Sequence, residues 1–124
     1  MDMPSDTEIQ TFIVSTFRSV WALELVQILR NSPTRQFSRS ELIETLRASD
    51  SVVHQGARSL MAAGMAVVDD EGIRMHDLDK RSGDLLDASI ELYKVSPDKV
   101  RRMIIAQSLP GATAFSDAFK LWKD

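Results

Sequence analysis

The sequence predicts a mainly α-helical single domain that carries one small β-hairpin. Three observations point to it. Two capping boxes of the form S-x-x-E, Ser5-Asp6-Thr7-Glu8 and Ser38-Arg39-Ser40-Glu41, each precede apolar residues at helical spacing. Two short strand-like runs, Met65-Ala66-Val67-Val68 and Ile73-Arg74-Met75, flank the turn residues Asp69-Asp70-Glu71-Gly72. A length of 124 residues suits one domain, at roughly 100–200 residues per domain.

The elements follow in order. After the first capping box, Ile9, Phe12, Ile13 and Phe17 recur at helical spacing. Val20, Trp21, Leu25, Ile28 and Leu29 continue the apolar face, and one long helix or two consecutive helices both satisfy the pattern. Asn31-Ser32-Pro33 ends the segment, because proline disfavours helix in the residue before it. The second box opens a helix with Leu42, Ile43 and Leu46 that stops near Ala48. Ser49, Asp50 and Ser51 then offer three N-caps in a row. The next helix, residues 51–63, sets Val53, Ala57, Leu60 and Met61 on one face, with Gly64 placed as its C-terminal cap. Two helices joined by so short a turn form a helix-turn-helix unit. Gly72 stands where the hairpin turn calls for a positive φ. Further on, Leu86, Ile90 and Tyr93 share a face. Ser96-Pro97-Asp98 then combines an N-cap, a proline at the first helical position and an acid in the first turn. Leu109-Pro110-Gly111 breaks the chain, and Phe115, Phe119 and Trp122 line one face of a last short helix.

Composition narrows the function classes. Hydrophobic residues at 44% and charged residues at 27% are globular proportions and exclude disordered or low-complexity chains. The lack of cysteine excludes a disulfide scaffold, a thiolate zinc site and a cysteine nucleophile. His54 and His76 are too isolated for zinc without cysteine. Asp69, Asp70, Glu71, Asp77 and Asp79 follow no calcium-loop spacing and read as a solvated hairpin, so neither a metal nor a cofactor is expected. The chain carries no G-x-S-x-G elbow, no phosphate-cradling glycine loop and no H-E-x-x-H motif, so no enzyme is expected. Met1-Asp2-Met3-Pro4-Ser5-Asp6 has no apolar signal core, and no apolar run approaches the roughly 20 residues of a membrane span. The expected setting is the cytoplasm, away from membrane.

The net charge of −3 counts against a dedicated nucleic-acid binder. Its distribution is more informative. Residues 33–64 hold four arginines against three acids, a net +1, whereas residues 65–79 hold one arginine against five acids, a net −4.

The order of helix, helix-turn-helix and hairpin resembles the winged helix-turn-helix superfamily, and the MarR- and PadR-like bacterial transcriptional regulators in particular. Residues 38–46, residues 51–60, and Met61-Ala62-Ala63-Gly64-Met65 running into Val67-Val68 and the hairpin carry the resemblance. It covers residues 19–78, with outer helices at 6–18 and 82–123. The resemblance implies that helix 51–63 enters the major groove of double-stranded DNA. It implies that the hairpin serves as a wing on the backbone or minor groove, and that outer helices form a homodimer. The face opposite the apolar stripe then shows Ser51, His54, Gln55 and Arg58. Arginine pairs with guanine bidentately and glutamine with adenine. Arg35, Arg39 and Arg74 are the expected phosphate contacts.

Two departures from that pattern stand out. Asp69, Asp70 and Glu71 at the wing tip repel phosphate, and Gly56 inside the recognition helix costs roughly 1 kcal/mol against alanine. That glycine either permits a close backbone approach or is merely tolerated.

Six of the eight aromatic residues, Phe12, Phe17, Trp21, Phe115, Phe119 and Trp122, lie in the terminal segments. They pack either within one chain or across a homodimer. The dimer is the expectation, because helix-turn-helix proteins commonly bind two-fold sites. The acidic hairpin motivates an alternative function, a winged-helix protein-interaction module that binds a transcription factor, a sigma factor or RNA polymerase rather than DNA.

Overall fold

Local capping chemistry sets where the helices begin. The computed structural model describes residues 3–108. In chain order they form α1 (Asp6–Thr16), α2 (Val20–Asn31), α3 (Arg39–Leu46), α4 (Asp50–Ala62), β1 (Ala66–Asp69), β2 (Gly72–Met75), α5 (Lys80–Val95) and α6 (Pro97–Ser108). The fold is mainly helical with a two-stranded antiparallel hairpin. Both capping boxes form: Ser5 and Ser38 accept from the N–H groups of Glu8 and Glu41, whose carboxylates accept from the cap N–H groups in return. Of the three candidate caps before α4, Ser49 is the one used, accepting from the Val52 N–H at 3.2 Å. Ser19 caps α2 by accepting from the Ala22 N–H at 3.1 Å. The first apolar stretch is therefore two helices, bent by 106°.

The end of α4 is closed by two backbone bonds. The Met65 N–H donates to the Leu60 carbonyl at 2.8 Å and the Gly64 N–H to the Met61 carbonyl at 3.1 Å, with Gly64 at φ 76°. This is the paired closure that a left-handed residue after a helix allows. The chain then enters β1, which pairs with β2 in the register Ala66–Met75, Val67–Arg74, Val68–Ile73 and Asp69–Gly72.

The sequence reading missed a third piece of this sheet. Phe37, just before α3, bridges Ile73 through two backbone bonds of 2.8 and 2.9 Å. Asp69 also behaves differently from a free acid at the hairpin tip. Its Oδ1 accepts from the N–H groups of Glu71 and Gly72 at 2.9 and 3.2 Å and from Gln36 Nε2 at 3.1 Å. It closes the turn, as aspartate commonly does.

The core is centred on α2, whose Leu23, Leu25, Val26 and Leu29 have no exposed surface. Around it pack Ile13 and Phe17, Leu42, Val53 and Leu60, Ile73 and Met75, and Leu86, Val100 and Ile104. Tyr93 of α5 ties the two halves together by donating to Glu24 of α2 at 2.6 Å. Burial first, and then the Glu24 carboxylate, push its hydroxyl above the usual tyrosine range. No single helix among the described residues is long and apolar enough to cross a membrane.

Gly56 faces this core and not the outside of α4. A Cβ there would stand 3.5 Å from Leu25 Cδ2 and 3.9 Å from the Ala22 Cα. Both are ordinary contact distances, so the helix pair has room for a methyl group. Gly56→Ala is expected to stabilise the chain by about 0.5–1 kcal/mol, since it removes a glycine from a helix interior. A higher denaturant midpoint at unchanged slope is the check.

Two expectations are corrected here. Met61 does not join the apolar face, because it is 43% exposed. It lies one residue, about 100° around the helix, beyond Leu60, and the face that meets α2 runs instead through Val53, Gly56, Ala57 and Leu60. Phe17 is not available to a second chain, because it has no exposed surface in its own. Its ring meets Phe12 edge-on, with centroids 6.0 Å apart. Phe12 is half-buried against the core, and α1 packs on α5 and α6 of the same chain. Trp21 remains 39% exposed. Phe115, Phe119 and Trp122 lie outside the described residues.

Candidate nucleic-acid interface

Helix α4 has two unlike faces. Its inner face is packed against α2, α3 and β1. On its outer face Ser51, His54, Gln55 and Arg58 are all exposed. Their spacing of three, one and three residues keeps them on one stripe about 10 Å long, at 1.5 Å per residue. The sequence-predicted quartet is thus brought together, and the reason is local: the buried positions 53, 56, 57 and 60 fix the opposite side of the helix.

Arg39, at the start of α3, reaches this face. Its guanidinium lies 3.4 Å from Asp50 Oδ1 and 3.3 Å from His54 Nδ1. A guanidinium only donates, so in this bond His54 accepts at Nδ1. Nε2 is then a hydrogen-bond donor for an outside partner. Arg35 is bonded to Glu41 and lies over the Phe37 ring, 4.3 Å from its centroid. The Ser38 N–H, followed by the Arg35 charge, holds the Glu41 carboxyl below its usual range.

Arg35 and Arg39 are therefore both engaged by acids, but in exposed pairs. Their side chains keep about half their surface, at 54% and 51%. Pairs of this kind are worth about 0–1 kcal/mol, so exchanging the carboxylate for a phosphate costs little. Arg58 and Arg74 have no ion-pair partner among the described residues. Arg74 projects from β2, opposite Val67, and is exposed. No hydrogen bond joins it to the α4 face among the described residues.

Sequence reasoning missed Arg18. It sits in the short break between α1 and α2 and lines a cleft of about 510 Å³ with Arg58, Ser15, Thr16, Ser59, Ala62 and Ala63. Ser19 was a readable cap signal for the break itself. Nothing local links position 18 to position 58, because the pairing arises from the 106° bend between α1 and α2. Among the described residues no group of three or more His, Asp or Glu side chains is placed to hold a metal ion. Comparison with protein-family models, with curated proteins and with solved structures finds no match for this chain.

Proposed function

We propose that this chain is a winged helix-turn-helix regulator of transcription that binds duplex DNA through the outer face of α4. One observation carries the reading: Ser51, His54, Gln55 and Arg58 share an exposed stripe on a helix whose other side is fully packed. These four side chains are polar, which is what reading base edges in the major groove requires. The three-residue connection from α3, the hairpin after α4 and the Phe37 bridge that extends it support the winged arrangement.

In this mechanism Ser51, His54, Gln55 and Arg58 contact base edges or phosphates in the groove. Arg35, Arg39 and Arg74 hold phosphates and set the register. The Arg39 and Ser40 N–H groups, which the capping box leaves unused, add anion-binding capacity at the start of α3. The reading includes a homodimer, which presents two such helices to a two-fold site. Analytical ultracentrifugation at micromolar concentration checks this, and a monomer alone removes the dimer from the proposal.

The direct test is fluorescence anisotropy against a random-sequence duplex at low and physiological salt. The expected result is binding at about 10⁻⁴–10⁻⁶ M that weakens steeply with salt. At a mapped site, Arg58→Ala is expected to cost ~1–3 kcal/mol. Absence of binding at low salt overturns the reading.

One observation favours a second reading, a protein-interaction module of the transcription machinery. Asp70 and Glu71 are exposed at the hairpin tip and have no ion-pair partner among the described residues. A basic protein surface complements them, whereas phosphate does not. Retention of a stoichiometric protein after nuclease treatment of a bacterial lysate separates this reading from the first.

A further inference from the structure

We infer that the cleft between the end of α1 and the C-terminal half of α4 is a phosphate-binding site, with Arg18 and Arg58 as its charged ligands. The two arginines come from different elements and line one space of about 510 Å³. Among the described residues no acidic side chain lines it. Five other arginines in the described residues, Arg30, Arg35, Arg39, Arg81 and Arg101, each pair with a carboxylate. Arg18 and Arg58 make no ion pair and no hydrogen bond among the described residues. Two like charges directed to one cleft repel each other, and an anion between them turns that repulsion into attraction.

The remaining polar groups sort themselves. Ser15 Oγ already donates to the carbonyls of Thr11 and Phe12, at 2.8 and 3.3 Å. Ser59 Oγ is shielded from solvent and has no hydrogen-bond partner among the described residues. A shielded hydroxyl left in that state is destabilising. Ser59 lines the same cleft, and a phosphate oxygen bound there is the acceptor we assign to it.

The cleft also lies beside the last turns of α1 and α4, whose carbonyl ends carry partial negative charge. The guanidiniums are what reverse that sign. Their planar forks match phosphate oxygens in pairs, which an ammonium cannot do. Arginines placed only to cap those carbonyls would donate to them, and neither Arg18 nor Arg58 does so.

A phosphate group reaches this site from either of two sources, the backbone of duplex DNA or a free phosphorylated small molecule. The first source rests on the function proposed above, since Arg58 belongs to the α4 stripe. The second does not.

The test uses the full chain with Arg18→Gln, Arg58→Gln and, as a charge control, Arg102→Gln on α6. Pyrophosphate is titrated while the amide signals of Ser15, Ser59, Ala62 and Ala63 are followed by NMR. Duplex binding is measured in parallel over a range of salt. Pyrophosphate is expected to shift these amides, and Arg18→Gln to weaken that binding by about tenfold. In the duplex arm, Arg18→Gln is expected to lower the salt slope by about one phosphate contact, with Arg102→Gln unchanged. Pyrophosphate binding without duplex binding keeps the site, assigns it to a free phosphate and overturns the DNA reading. Duplex binding with an unaltered slope and no pyrophosphate shift overturns the site and keeps the DNA reading. Failure of both arms overturns both.

Discussion

Replacing Phe17 by alanine is expected to destabilise the isolated chain by roughly 3–5 kcal/mol. Phe17 has no exposed surface and is among the largest fully buried side chains. It stands at the C-terminal end of α1, where its N–H donates to the Ile13 carbonyl at 3.0 Å. Its ring fills the corner made by the bend into α2 and meets Phe12 at an interplanar angle of 82°. Alanine there loses the transfer energy of the ring and leaves a cavity that two fixed helices cannot close. Since a domain of this kind holds only about 5–15 kcal/mol in all, the loss is a large share. Urea unfolding of both proteins at low and high concentration is the measurement. The same large loss at both concentrations is expected, because the contact is within one chain. A loss below about 1 kcal/mol, or one that appears only at high concentration, would place Phe17 at an interface and not in the core. Trp21→Ala, at a side chain 39% exposed, is the comparison and is expected to cost less.

The second large effect is expected at the hairpin. Gly72→Ala is expected to cost roughly 2–4 kcal/mol, against about 1 kcal/mol for Gly64→Ala. Both glycines have positive φ, at 145° and 76°. They differ in what surrounds them. Around Gly64 a Cβ meets nothing within 4 Å. At Gly72 it would stand 2.4 Å from the Phe37 carbonyl oxygen and 3.1 Å from Gln36 Cγ. That carbonyl cannot retreat cheaply, because it accepts from the Ile73 N–H at 2.9 Å. Relief of the clash therefore breaks the bridge between residue 37 and the hairpin. Thermal unfolding gives the ordering, at about 3–6 °C per kcal/mol for this chain length. Amide exchange at Phe37 and Ile73 gives the location. Equal losses at the two glycines would mean that φ alone selects glycine at position 72. Arg74 follows Gly72 on β2, so the variant is also expected to lose any phosphate contact the hairpin makes.

Helix starts, the helix end at Gly64 and the hairpin turn were legible because each rests on groups within three or four residues of one another. Ser5 with Glu8 and Ser38 with Glu41 are complete signals in four residues. The outer face of α4 was legible for the same kind of reason, since helical period alone puts 51, 54, 55 and 58 opposite 53, 57 and 60. Met61 was misread because it lies at the margin of that stripe, where periodicity does not settle burial. Periodicity also failed between α1 and α2. An apolar face continues through residues 9–29 whether or not the helix breaks, and in the folded chain Ser19 caps a second helix while Phe17 is buried at the break.

The amino-acid sequence by itself determined the two capping boxes, the turn glycines, the order of helix-turn-helix and hairpin, and the polar character of one side of α4. These are short-range matters of hydrogen-bond partners, φ preference and period. Only the tertiary structure decided which charges are engaged and which are open. Net charge counts fifteen basic groups without pairing them. Folding matches Arg30 with Asp87 across 57 positions, joins Gln36 to Asp69 across 33, and brings Arg18 and Arg58 to one cleft that no acid among the described residues lines. Charges interact over a few ångströms in space, and the packing of α2 against α4 and of α1 against α5 sets those distances.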